Sequence, residues 1–111
     1  MKRHGPLRLV VCLWAAAAAA ATEPEPLRLA TYNIENYGPA DRMTEAGYRT
    51  AYPKPEREKS ALRAVIRDLS ADVLVLQEMG PAPYLEELRR DLRSEGVDYP
   101  HAALEIGRAH V

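Results

Sequence analysis

The 111 residues set the size of one modest domain, and the hydrophobic fraction of 47% looks sufficient for a core. That fraction is unevenly placed, and an aromatic content of 6% without a single Phe is thin for a self-sufficient domain. The near-balanced net charge of −1 excludes a strongly basic coat of the kind that binds nucleic acid without specificity.

Residues 1–21 read as a signal peptide. Lys2, Arg3 and Arg8 make a positive start, Leu9-Val10-Val11-Cys12-Leu13-Trp14 and the following alanines an apolar middle. Ala19-Ala20-Ala21 supplies a small-x-small cleavage site before Thr22. A membrane anchor fits less well: without its alanine-only half the run falls short of the ~20 apolar residues that span a bilayer. A lipid-modified Cys12 fits poorly too, because Val11 is bulky and the cysteine lies early in the run. The expected location is therefore secreted or periplasmic. Cleavage would remove three cations, taking the net charge from −1 to −4, and with them the sole cysteine. The mature piece then has no thiol for a disulfide, a metal or nucleophilic chemistry.

Residues 22–26, Thr-Glu-Pro-Glu-Pro, form a polar linker. Leu27 to Ile34 then alternate as a strand, with Leu27, Leu29, Thr31 and Asn33 on one face and Arg28, Ala30, Tyr32 and Ile34 on the other. Residues 35–55 are expected to be irregular, since Gly38-Pro39, Gly47, Pro53 and Pro55 interrupt any period. A connection of this length is uncommon and often functional. Residues 55–69 turn helical: Leu62, Val65, Ile66 and Leu69 form one stripe, with Pro55, Glu56 and Glu58 suited to the first turn. Val73-Leu74-Val75-Leu76 is a continuous apolar run, the signature of a strand covered on both faces. A second helix is predicted over residues 83–94, with Leu85, Leu88 and Leu92 inward and Gly96 as its stop. Residues 99–104 are expected to start a third strand. The order β-α-β-α-(β) indicates an α/β class.

Two polar residues stand at strand ends. Asn33 comes near the end of the first strand and Glu78 follows the apolar run directly. A carboxylate there costs several kcal/mol unless it is paired or bound to a cation. If the strands run parallel through the intervening helix, both residues emerge at the carboxyl edge of the sheet, where ligands gather in α/β folds. A carboxylate and an amide oxygen together suit a hard cation such as Mg²⁺. The plainer reading makes Asn33 a turn residue and Glu78 a solvated strand end. Lys59, Arg63 and Arg67, at i, i+4, i+8, form a basic stripe that reads as a solvated helix face in preference to a phosphate contact. Glu35, Asn36 and the loop through Tyr37, Tyr48, Arg49 and Tyr52 could line a site mouth on position alone.

Thr31-Tyr32-Asn33-Ile34-Glu35-Asn36 and Ala71-Asp72-Val73-Leu74-Val75-Leu76-Gln77-Glu78 resemble the first two signature segments of the endonuclease/exonuclease/phosphatase superfamily. Lys59 and Asp72 also match its pattern, and the resemblance runs from Leu27 to His101. It implies a DNase I-like four-layer α-β-β-α sandwich of two mixed sheets, of which residues 27–104 are the N-terminal part. It further implies that Glu78 binds the catalytic Mg²⁺ or Mn²⁺ directly, that Asn33 orients a water or a phosphate oxygen beside it, and that Gln77 supports Glu78. The later Asp-x-Asn and Ser-Asp-His segments of that superfamily do not occur here, and His101 reads as a strand-edge residue. The expected function is a truncated exported phosphoesterase, nuclease or phosphatase, acting on nucleic acid or a small organophosphate and inactive as this piece. The alternative is a non-catalytic exported interaction module on the same fold.

Ile106-Gly107-Arg108-Ala109-His110-Val111 carries neither period. It equals an in-frame translation of the short-read sequencing adapter segment ATCGGAAGAGCACACGTC, with the Glu105 codon at the junction. Residues 105–111 are therefore expected to be an artefactual tail.

Overall fold

The computed structural model describes residues 23–106, so the signal peptide, the first linker residue and the tail beyond Ile106 lie outside the described part. Its elements are β1 (Leu29–Asn33), β2 (Ala40–Thr44), β3 (Gly47–Tyr52), α1 (Glu56–Leu69), β4 (Val73–Gln77) and α2 (Ala82–Ser94). The class is α/β, with two helices and two small sheets. Among the described residues, no helix is long and apolar enough to cross a membrane.

β1 and β4 pair in parallel, with Leu29 opposite Val73 and Asn33 opposite Gln77. The pairing starts from a clamp at the strand origins. Arg28 N donates to Asp72 Oδ2 at 2.8 Å, and the amides of Asp72 and Val73 both donate to Arg28 O. This is the role of Asp72: it joins the two strand starts and so determines the register carried to their far ends.

Both helices pack on the sheet face that carries Tyr32, Leu74 and Leu76. The core cluster unites Ile34, Tyr37, Leu62, Ile66, Met79, Leu88 and Leu92. Each helix begins after a proline, Pro55 or Pro81, whose fixed φ suits the position and whose missing N–H is no loss there. α1 ends at Ser70 in the left-handed conformation, and Gly96, at φ +90°, lies just past α2.

Four expectations change. The connection after β1 is not irregular: β2 and β3 form an antiparallel hairpin across a two-residue turn. Gly47, read as a breaker, supplies the φ of +101° that closes this turn, and Thr44 Oγ1 accepts from Ala46 N while donating to Gly47 O. β4 is covered on one face only, because Val73 and Val75 share the exposed side of the sheet with Leu29. Val65, placed in the apolar stripe of α1, is exposed, while Lys59 and Arg63 are buried. Finally, residues 97–106 carry no regular element, so His101 is exposed but edges no strand. That segment finds side-chain contacts instead, with Val97, Tyr99 and Leu104 against the core and Tyr99 Oη donating to Ala71 O at 2.7 Å.

The burial of Lys59 and Arg63 follows from α2. Its Glu87, Asp91 and Glu95 recur with the same spacing of four as the cations of α1. Lys59 pairs with Glu87 at 3.1 Å, Arg63 with Glu56 and Glu95, and Arg67 with Glu95. The basic stripe is thus neither a solvated face nor a phosphate contact; it is one half of an interhelical ladder. Burial alone would lower the Arg63 guanidinium, but the Glu56 and Glu95 carboxylates overcome it and hold the group above the ordinary arginine value.

Candidate functional site

The parallel register brings Asn33 and Glu78 to the same carboxyl edge of the sheet. Asn33 is the last residue of β1, and Glu78 is the first residue beyond β4. The loop 35–38 lies between them and bonds to both. Glu35 N donates to Asn33 Oδ1 at 2.9 Å, and Asn36 N donates to Glu78 Oε2 at 3.1 Å. Two consecutive amides therefore each bond one of the two candidate side-chain oxygens. The main chain closes the same loop, with Ile34 N donating to Gln77 O at 3.2 Å and Tyr37 N to Glu78 O at 3.0 Å.

This arrangement carries backbone strain. Glu35, Asn36 and Glu78 all lie in the left-handed region, at φ of 54°, 53° and 62°. For residues with a Cβ that conformation costs of order 1 kcal/mol each, and it persists only where surrounding contacts over-determine it. Three such residues meeting at one sheet edge mark it as a built feature, unlike an ordinary strand end.

The contacts that hold the loop come from the hairpin side. Lys54 Nζ donates to Glu35 O at 2.9 Å, and Lys54 is only 8% exposed. Arg42 donates to the carbonyls of Asn36 and Gly38 through Nη2, and to Tyr52 O through Nε. Lys54 and Arg42 were not singled out in the sequence. For Lys54 a signal existed: it stands between Pro53 and Pro55, which leaves its backbone little freedom and fixes where the side chain starts.

Tyr37 anchors the loop from below. Its ring is fully buried in the core cluster, with Lys59 Nζ 4.9 Å from the ring centre. Burial, with the Glu87 carboxylate next in weight, raises its phenol well above the usual tyrosine value. Gln77 faces the exposed side beside Asn33 and contributes its main-chain carbonyl to the loop. Glu35 and Asn36 meet Asn33 and Glu78 through their backbone amides. Tyr48 and Arg49 stand on the hairpin, away from these bonds.

The donor set fits a hard divalent cation. It offers one carboxylate and one amide oxygen, both on exposed residues, and among the described residues Glu78 Oε1 accepts no hydrogen bond. Mg²⁺ is commonly held by one or two carboxylates, with water and substrate oxygens completing the shell. No group of three or more His, Cys, Asp or Glu side chains suited to a metal occurs among the described residues. Chemically, the edge can hold one cation weakly and present it to an incoming oxyanion. Compared with protein-family models, curated proteins and solved structures, the chain shows no significant match to any of them.

Proposed function

We propose that this chain is the metal-binding N-terminal part of an exported, divalent-metal-dependent phosphoesterase of the endonuclease/exonuclease/phosphatase type. One observation carries the reading: Asn33 and Glu78, picked from two short sequence motifs, share one sheet edge and accept hydrogen bonds from consecutive amides of one strained loop. The bond from Glu35 N to Asn33 Oδ1 is also an Asx turn, so the reading rests on Asn33 and Glu78 bonding to one and the same loop.

On this reading Glu78 holds Mg²⁺ or Mn²⁺ through its carboxylate and Asn33 orients a water or phosphate oxygen with its amide. The ion, when bound, offsets the charge that builds on the phosphoryl oxygens during attack by water. The amides of Glu35 and Asn36 restrain the two side chains, so little reorganisation is needed when substrate arrives. The exposed sheet face of Leu29, Val73 and Val75 is where a second sheet would pack in the proposed four-layer sandwich. The substrate is a phosphodiester or phosphomonoester in nucleic acid or a small organophosphate, and the location is extracellular or periplasmic.

Mn²⁺ titration of the full chain, followed by electron paramagnetic resonance, tests the site. Saturable binding that Glu78→Gln abolishes is expected; equal binding by the variant would remove the basis of the proposal. Resequencing the source DNA across codon 104 addresses the tail, and the recovered gene can be assayed on DNA and a simple phosphodiester with Mg²⁺ and then EDTA. A product inert on every phosphoester would favour an interaction module, for which the exposed apolar sheet face is the supporting feature.

A further inference from the structure

Lys54 is in an unusual position for an ammonium group. It is over nine-tenths buried, yet it makes one hydrogen bond, to a neutral carbonyl, out of the three it can donate. Among the described residues no carboxylate lies within ion-pair distance of it, whereas the two buried cations of α1 each have at least one. A cation held largely away from water without a counter-charge is costly and normally finds an anion.

The bond that Lys54 does make points to where that partner sits. It reaches Glu35 O, and the amide of the same residue donates to Asn33 Oδ1. Arg42, also without a carboxylate partner among the described residues, grips the next carbonyls of the loop at Asn36 and Gly38. Two cations therefore stand against a single four-residue loop at the sheet edge. Pro53 and Pro55 restrict the Lys54 backbone, so the ammonium is presented by a stiff segment.

We infer that Lys54 is an anion-binding residue, whose ligand is a phosphoryl or phosphate oxyanion seated at the Glu35 side of the loop. Arg42 acts through the loop as a positioning residue: by holding the Asn36 and Gly38 carbonyls it keeps Glu35 O in reach of Lys54. The inference rests on the phosphoesterase reading for its choice of phosphate, and it adds a residue that binds the substrate anion without the metal. A charge-assisted contact of this kind strengthens binding about tenfold or more.

The test uses the full chain in EDTA, with inorganic phosphate as the probe. In a ¹H–¹⁵N spectrum that reports lysine ammonium groups, the Lys54 signal is expected to shift saturably, identified by its loss in Lys54→Arg. Lys54→Gln is expected to bind phosphate at least about tenfold more weakly. A Lys54 signal that does not move, or Lys54→Gln binding phosphate as tightly as the parent, overturns the inference. The parent titration decides the matter even if Lys54→Gln fails to fold. Mn²⁺ binding without phosphate at Lys54 sinks this inference alone; phosphate at Lys54 with no Mn²⁺ binding sinks the metal reading and leaves the anion site standing.

Discussion

The cations of this chain fall into two groups that behave in opposite ways. Between α1 and α2, Lys59, Arg63 and Arg67 meet Glu87, Asp91 and Glu95, so positive charge is answered within the chain. Around loop 35–38, Lys54 and Arg42 meet only carbonyls among the described residues. The first group holds two helices together over a shared core; the second holds a strained loop. Charge that builds a fold is matched internally, while charge kept for a ligand is left unmatched at a cost in stability.

The sharpest way to break this contrast is to remove Arg63. It is 7% exposed, and its loss leaves Glu56 without a cation, while Glu95 keeps Arg67 and Asp91 keeps Arg90. Breaking a fully buried pair costs about 3–5 kcal/mol, and here Glu56 and Glu95 reach solvent, so Arg63→Met is expected to lose roughly 2–3 kcal/mol. Urea unfolding would read this as a lower midpoint at unchanged slope. A loss below about 0.5 kcal/mol would place Arg63 with ordinary surface charges.

A smaller effect is expected from Lys59 and Glu87, whose side chains are 11% and 31% exposed. A double-mutant cycle with Lys59→Met and Glu87→Gln should give a coupling of about 1 kcal/mol. Zero coupling would mean that this rung contributes shape alone.

On the loop side the expected sign reverses. Glu35→Gly relieves a residue at φ 54° whose side chain makes no hydrogen bond among the described residues. It should leave stability unchanged or raise it by up to about 1 kcal/mol. A clear loss of stability would show that the left-handed conformation there stores no strain.

Tyr37 joins the two regions and gives a pH signature. Its folded phenol is raised above the ordinary value of 10.0, so the neutral form belongs to the folded state. The sign follows from linkage: the stabilisation is complete below the unfolded value near pH 10 and is lost as pH rises beyond it. Unfolding free energies taken at about pH 8 and pH 11 should therefore fall more in the parent than in Tyr37→Phe. Equal declines would assign the loss to other groups.

Much of the fold was legible along the chain because it rests on local periods. The alternation of β1, the proline starts of α1 and α2 and the inward Leu88 and Leu92 all follow from side-chain spacing. The shared edge of Asn33 and Glu78 was legible too, because a helix between two strands makes parallel pairing the expected outcome. The hairpin was hidden: its turn residues, Glu45 and Ala46, carry no hairpin signature. Its closure depends on Thr44 and on the long-range bonds from Asp41 and Arg42 to the Ala51 and Tyr52 backbone.

The sequence by itself determined the α/β class and the two helices, since each depends on residues close along the chain. Only the tertiary structure decided which charges are spent on the fold. A basic stripe has the same spacing whether it faces water, phosphate or another helix, and α2 settles the matter by presenting carboxylates at matching intervals. The same holds for Lys54. Pro53 and Pro55 restrict where its side chain starts, but they do not say that it reaches Glu35 O, a contact 19 positions away along the chain.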